Sequence, residues 1–277
     1  MNDALADDGL IRLLAFLAVG GLLLLLQWRF ALRGDGRPAR RQVVNVSIGV
    51  IDTLVLRFGF PILAVAWAAE VHGHGGGLLG ALAWHPAVEF LLAVLVLDVV
   101  IYWQHRLMHR IPLLWRMHRV HHADRGFDVT TAVRFHPLEI ALSMGLKLGV
   151  ITLLGPSALA VLTFELMLSL GALWTHTDVA LPKPLDHAAR WLIVTPSMHR
   201  IHHSTWQPET DSNYGFHLSI WDRLFRSYRA EPKQPETDMP IGLDEFMADR
   251  EQGLLALLAN PFRSRRDDAP EPNEPQA

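Results

Sequence analysis

His105-Arg106-Leu107-Met108-His109, then eight residues, then His118-Arg119-Val120-His121-His122, is the stretch on which the reading of this chain turns. On a helix of 3.6 residues per turn, His105 and His109 lie one turn apart. His118, His121 and His122 fall at i, i+3 and i+4, so each group converges on one face. The spacing returns as His199, His202 and His203. Eight imidazoles on three helical faces exceed what a single four-coordinate ion takes, which implies two metal ions. Imidazole suits zinc, copper, nickel and iron, whereas magnesium and calcium take oxygen. With no cysteine in the chain, thiolate and iron–sulfur sites are excluded. The competing reading makes these histidines ordinary polar residues at a membrane edge, but three clusters at ligand spacing are hard to obtain that way.

Half of the 277 residues are apolar, enough for several membrane spans and a modest soluble part, and too many for an ordinary soluble domain. A net charge of −3 gives no sign of a nucleic-acid partner. The arginines matter through their distribution. Residues 10–28 carry only Arg12 as a charge and read as a first span. Asp3, Asp7 and Asp8 before it, with no small-x-small site after it, suit a retained anchor better than a cleaved signal peptide. Arg29, Arg33, Arg37, Arg40 and Arg41 then mark the cytoplasm and put the amino terminus outside. Residues 43–71 read as one returning span, with Asp52 and Arg57 spaced to interact inside the bundle. His72, His74 and His85 lie around a glycine-rich outer loop without Lys or Arg and are expected to be solvated.

Residues 86–104 form a third span that delivers His105 to the cytoplasmic surface. Asp98, Tyr102, His105 and His109 share one helical stripe, so Asp98 is expected to accept a hydrogen bond from an imidazole or from Tyr102. Residues 138–173 are long enough to cross twice, with Gly155-Pro156 as the turn. This puts Lys147 deep in the first arm, facing the bundle or in a partly re-entrant hairpin. Glu139 and Glu165 are either supports for the site or polar contacts between helices. Ser197 is a plausible cap for the helix bearing the third cluster. His187 is a supporting partner, a ligand, or merely part of a surface helix start, and His217 is a weaker candidate. Residues 241–262 suggest an amphipathic stretch on the membrane surface, and the last dozen residues should be disordered.

The clusters, together with Asp98-Val-Val-Ile-Tyr102-Trp-Gln-His105-Arg106, Asn213-Tyr214-Gly215 and Trp221-Asp222-Arg223-Leu224-Phe225, resemble the sterol desaturase / fatty acid hydroxylase superfamily over residues 90–230. Within it, Trp174-Thr175-His176-Thr177-Asp178, Thr195-Pro196-Ser197 and the third cluster look most like alkylglycerol monooxygenases and their bacterial relatives. The resemblance implies His176 as a ninth ligand, His136 as a ligand or its supporting partner, and a site-supporting role for Asp98. It further implies an iron-dependent oxygenase that hydroxylates or desaturates a sterol, fatty acyl or ether lipid, or cleaves an ether oxidatively. Two irons can share the electrons that O–O cleavage needs. Zinc, which can replace iron in isolated protein, has no redox chemistry. Histidine-only ligation differs from the carboxylate sites of soluble di-iron bundles. No GxGxxG loop or His-Pro-Gly-Gly haem motif occurs, so the electron donor is external: a separate reductase, ferredoxin or cytochrome, or a reduced pterin.

A membrane metal transporter would place ligands near the bilayer midplane on broken helices, and a zinc hydrolase would show His-Glu-x-x-His; neither pattern is found. The expectation is an all-α polytopic membrane protein with a cytoplasmic histidine-rich di-metal cap. Residues 1–104 supply amino-terminal spans, 105–230 a catalytic region including a membrane hairpin at about 137–174, and 231–277 a cytoplasmic tail. A bacterial inner membrane, an active site facing the cytoplasm and a lipid entering sideways from the bilayer complete this reading.

Overall fold

A computed structural model describes residues 8–33, 38–82 and 85–263. Asp3, Asp7, Arg37 and the terminal stretch expected to be disordered lie outside the described residues. Among those described, regular structure is helical and no strand forms: α1 (Asp8–Phe30), α2 (Ala39–Gly59), α3 (Ala64–Gly73), α4 (Gly77–Ala81), α5 (Pro86–Arg110), α6 (Pro112–His122), α7 (Pro137–Leu154), α8 (Ala158–Thr175), α9 (Lys183–Ala189), α10 (Pro196–His202), α11 (Gln207–Thr210), α12 (Ile220–Leu224) and α13 (Leu254–Ala259). Among the described residues, five segments are long and apolar enough to cross a membrane: Asp8–Phe30, Ala39–Ala81, Pro86–Arg110, Pro137–Leu154 and Ala158–Thr175. Their outward faces carry Leu25, Phe58 and Leu153, each more than 60% exposed, as a lipid-facing surface requires and an aqueous one does not tolerate over such an area.

The second span departs from expectation. Residues 43–71 are not one helix: α2 ends at Gly59, and Pro61 lacks the N–H needed to continue it. The chain turns and re-enters as α3 and α4, which pack on α7 and α8. Asp52 and Arg57 do not pair. Five residues on a helix separate two side chains by about 140°, which leaves Arg57 exposed and Asp52 buried.

The α7–α8 hairpin turns at Gly155, whose φ of 66° is the left-handed region. A Cβ there would meet Gly76 O at 1.9 Å, so only glycine admits the α4 segment. His72 is not merely solvated, since its Nδ1 bonds Gly155 O at 2.9 Å. Lys147 faces the bundle, where Glu165 Oε1 accepts from it at 2.5 Å and Glu165 Oε2 from Arg12 at 2.7 Å. Glu165 therefore ties α1, α7 and α8 together inside the membrane, and the charged group Arg12 on the first span is matched.

At the opposite end, the starts of α2 and α7 meet the ends of α1, α5 and α8. The loop after α6 is locked there by Asp124, which is fully buried. It accepts from Arg41 Nε at 2.5 Å and Nη2 at 2.8 Å, from Asn45 Nδ2 at 3.0 Å and from Thr131 Oγ1 at 2.9 Å. Arg134 lies 3.8 Å away. Residues 241–262 are not one amphipathic helix. Short 3₁₀ turns lead to α13, whose Leu257 packs on Val44, Ile48 and Val120.

Candidate metal centre

The nine histidines expected as ligands fall into two groups. His105, His109, His118, His122 and His202 form one; His121, His176, His199 and His203 form the other. Within each, the nearest ring nitrogens lie within 4.8 Å of one another. The clusters do not each serve a single ion, as one shared face suggested. On α6, the i and i+4 residues His118 and His122 enter the first group while the i+3 residue His121 enters the second. On α10 and its cap the assignment inverts: His199 and His203 join the second group and His202 the first. The two His-Arg-x-His-His segments thus cross, and the stacked His122 and His203 rings, 4.6 Å apart, mark the seam.

Which nitrogen faces inward follows from the outer hydrogen bonds. A backbone carbonyl only accepts, so a ring nitrogen bonded to one must carry the proton. His105 Nδ1 donates to Tyr214 O at 2.7 Å and His202 Nδ1 to Ser212 O at 2.7 Å. Their Nε2 lone pairs then face each other at 3.0 Å. In the second group His121 Nδ1 donates to Arg134 O at 3.2 Å and His176 Nδ1 to Ala172 O at 2.8 Å. His176 Nε2 meets His121 Nε2 at 3.1 Å, His199 Nε2 at 3.1 Å and His203 Nε2 at 3.2 Å. Facing lone pairs repel unless a cation lies between them. Nitrogens bound at about 2.1 Å and a right angle from one ion sit about 3.0 Å apart. The orphaned His118 Nε2 and both ring nitrogens of His109 and His122 are buried without a hydrogen-bond partner among the described residues, where buried polar atoms are normally paired. The donor set fits two imidazole-bound ions.

Burial pushes His121, His122, His199 and His203 well below 6.5, and with His118 nearby it pushes His202 down to about 3. Unfolded imidazoles take up protons from about 6.5 downward, while the folded ones resist until far lower, so the unfolded state binds more protons in that window. Stability and metal retention are therefore expected at pH 7 and above and should fall together below about 6.5. Dialysis across pH followed by elemental analysis checks this. Metal content that is flat from about pH 7 to 4 would contradict it.

Supporting groups were legible only in part. His118 Nδ1 donates to Glu139 Oε1 at 2.8 Å, a carboxylate–histidine arrangement that fixes the ring and raises its basicity. Of the two roles open to Glu139, the structure gives it the one at the site. Asp211 Oδ1 stands 3.5 Å from His109 Nδ1. The carbonyls of Ser212 and Tyr214 both reach imidazoles because Asn213 between them adopts φ 52°, which asparagine tolerates. Asp222 fixes this turn by accepting from Tyr214 N at 2.7 Å and Gly215 N at 2.9 Å. A Cβ at Gly215 would come within 2.7 Å of its carboxylate. Sequence reasoning missed Asp211, Ser212 and the role of Asp222, since carbonyl contacts leave no side-chain spacing to find.

Five expectations are revised. Asp98 accepts from Trp221 Nε1 at 2.6 Å, not from an imidazole or Tyr102, because the Asn213–Phe225 segment folds back onto α5. Tyr102 bonds Ser227 Oγ at 2.7 Å, and Ser227 in turn donates to Asp222 at 2.7 Å, while the Tyr102 ring packs edge-on against Tyr214, so Tyr102 supports the turn that holds the imidazoles. His136 joins neither group: Nδ1 accepts from Leu138 N as the α7 cap and Nε2 donates to Leu258 O at 3.1 Å, which occupies both nitrogens. His187 stands on the exposed α9, its ring 62% exposed and away from both groups. At α10 the cap is Thr195, not Ser197.

The arginines between the histidines point the other way. Arg119 donates to Asn260 Oδ1 at 2.8 Å and Asn260 O at 2.6 Å, and Arg200 pairs with Glu236. Arg119, Arg134 and Arg200 are at most 1% exposed, so they anchor the ligand helices and offer no docking surface.

A cavity of about 280 Å³ reaches His105 and His118. Its walls come from α1, α2, α5, α7 and α8, with Phe16, Leu56, Ile101 and Leu168 among them, and Asp52 and Glu139 as its carboxylates. A second cavity of about 270 Å³ reaches His109 past Arg110, Trp115 and Arg116.

Residues 90–227 match the family model described as Fatty acid hydroxylase. Among known proteins, the ornithine lipid hydroxylase OlsE of Rhizobium tropici is 33% identical over 180 residues, 65% of this chain and 52% of its own length. The alkylglycerol monooxygenase of Danio rerio is 34% identical over 188 residues, 67% of this chain and 40% of its own. The human alkylglycerol monooxygenase is 29% identical over 201 residues, 71% of this chain and 43% of its own. The chain thus spans about half the length of these relatives or less. No solved structure matches it.

Proposed function

Since the chain belongs to the fatty acid hydroxylase family through residues 90–227, we propose that it is a membrane-embedded, O2-dependent di-iron oxidoreductase that hydroxylates or desaturates a membrane lipid. The observation that carries this reading is the pair of buried histidine groups with facing lone pairs, joined to an apolar cavity between membrane helices. His105, His109, His118, His122 and His202 would hold one iron and His121, His176, His199 and His203 the other, with zinc able to replace either in isolated protein. When bound, the irons supply the changes of oxidation state that O2 reduction requires.

The chain's own residues supply position and dryness. Phe16, Leu56, Ile101 and Leu168 line the cavity with apolar surface that favours a lipid tail and excludes water. Glu139 holds His118 in one tautomer, and Tyr214 O and Ser212 O do the same for His105 and His202. Fixing an unactivated carbon beside the centre is the main task of such a pocket, because orientation alone can lower a barrier by about 7–11 kcal/mol. Electrons come from a separate electron-transfer protein or a reduced pterin, and the cavity at His109 gives a route to the centre on a side apart from the lipid cavity. The names of the relatives, ornithine lipid hydroxylase and alkylglycerol monooxygenase, favour a polar lipid as substrate. Lipid extracts of bacterial cells with and without the chain test this: one lipid should gain an oxygen atom or lose two hydrogens. Identical extracts under iron-replete conditions would count against it.

We also place the chain in a bacterial inner membrane with five crossings and the histidine groups facing the cytoplasm. Reporter fusions after residues 41, 80, 125 and 230 are expected to read in, out, in and in. Opposite sides for 125 and 230 would separate α6 from the segment after α10 and contradict the shared centre.

A further inference from the structure

Asp52 is the buried group that the mechanism above does not use. It lies on the α2 face formed by Gly49, Asp52, Thr53 and Leu56, which follows i, i+3, i+4 and i+7 and lines the lipid cavity. Gly49 allows this approach, since a Cβ there would stand 3.0 Å from Val133. Asp52 is 7% exposed, and its Oδ1 has no hydrogen-bond partner among the described residues. Glu139 lines the same cavity. One Glu139 oxygen is used by His118, and the other, Oε2, is also buried and unpartnered. Two buried acceptor oxygens left without a donor are costly. Both residues line the cavity that also reaches His105 and His118.

We propose that Asp52 and Glu139 together bind a hydrogen-bond-donating group of the lipid, a hydroxyl or a primary ammonium, and thereby set which carbon lies against the metal centre. The proposal rests on the lipid-oxidation reading and narrows it. A lipid carrying a donor near the carbon to be oxidised is selected; one with that donor methylated leaves both acceptors unpaired and is rejected. Such a difference exceeds what an extra methylene gives in an apolar pocket, because the loss is of hydrogen bonds to a buried site built for them.

The test uses the metal-loaded full chain in phosphatidylcholine nanodiscs containing, at low fraction, a long-chain alcohol, its methyl ether, a long-chain primary amine or its trimethylammonium counterpart. Retention of each probe after isolation is read by mass spectrometry beside metal content. The alcohol or the amine should be retained about tenfold or more over its methylated counterpart, and the arm that responds distinguishes hydroxyl from ammonium. Asp52→Leu should abolish the preference with metal content unchanged. If Asp52→Leu does not fold, as loss of its metal would show, Asp52→Asn decides: it keeps shape and one acceptor oxygen, so amine retention must fall. Equal retention of methylated and unmethylated probes by the wild-type chain, or an undiminished preference in the folded variant, would overturn the proposal. If the preference holds while lipids stay unchanged in membranes supplied with O2, iron and a reductant, the oxygenase reading fails and the binding site stands.

Discussion

His118→Ala, His122→Ala and His203→Ala are each expected to reduce lipid oxidation to background, and any two together should be no worse than one. The reason lies in the crossing of the two histidine segments. His118 and His122 belong to the five-histidine group and His203 to the four-histidine group, yet α6 and the α10 segment each serve both. A missing ligand therefore disturbs a shared centre and does not subtract a fraction, and effects of residues that act as one unit do not add. Metal content should fall from two ions per chain, most clearly for His203→Ala, which leaves only three imidazoles in its group. Glu139→Gln, which weakens support for His118 without removing a ligand, should cost about 10–100-fold. Lipid mass spectrometry and elemental analysis on the same preparations check both. A ligand variant as active as Glu139→Gln would mean that the residue only supports the centre.

Asp124→Ala should have the largest effect on stability. The carboxylate is fully buried, and although burial alone would raise it, Arg134 and Arg41 hold it at about 2. The folded value lies below the unfolded value of about 3.9, so the contribution is fully present above that value and is lost as pH falls through about 2. Removing Asp124 leaves Arg134, which is entirely buried, without its anion, while Arg41 keeps Asp128. Breaking a buried pair from one side costs about 3–5 kcal/mol. The loop after α6 should loosen and release Arg134 O from His121, so metal should be lost with stability. Thermal unfolding in detergent, followed together with metal content, checks this. A melting temperature within a few degrees of wild type would show that the pairs contribute little.

The clustered histidines could be found from sequence because the ends of α5, α6 and α10 are regular, and regular helices repeat their faces. Their division between two groups could not, because it depends on how α6 and α10 cross, and a crossing is a tertiary relation. The five apolar segments stood out by length, but Pro61 was overridden by the hydropathy around it. The arginines do more than mark a side of the membrane. Arg41, read from its position as a cytoplasmic marker, also carries buried bonds that hold a ligand-bearing segment in place, as do Arg119, Arg134 and Arg200. A charge beside a membrane can serve topology or structure, and only its partner tells which. His136 failed as a ligand for a similar reason, since the residue before Pro137 is where a helix cap belongs, and capping takes one of its two nitrogens.

The central claim is that the two histidine groups form one redox centre acting on a lipid in the adjoining cavity. The measurement that reaches it most directly supplies isotopically labelled O2, with a reductant and iron, to membranes containing either the wild-type chain or His118→Ala, and compares their lipids by mass spectrometry. The wild-type membranes should consume O2 and yield one lipid class either bearing a labelled oxygen or lacking two hydrogens, and the His118→Ala membranes should yield neither. If both proteins leave every lipid unchanged under these conditions while wild-type protein holds its two metal ions, the histidine groups bind metal for some purpose other than lipid oxidation.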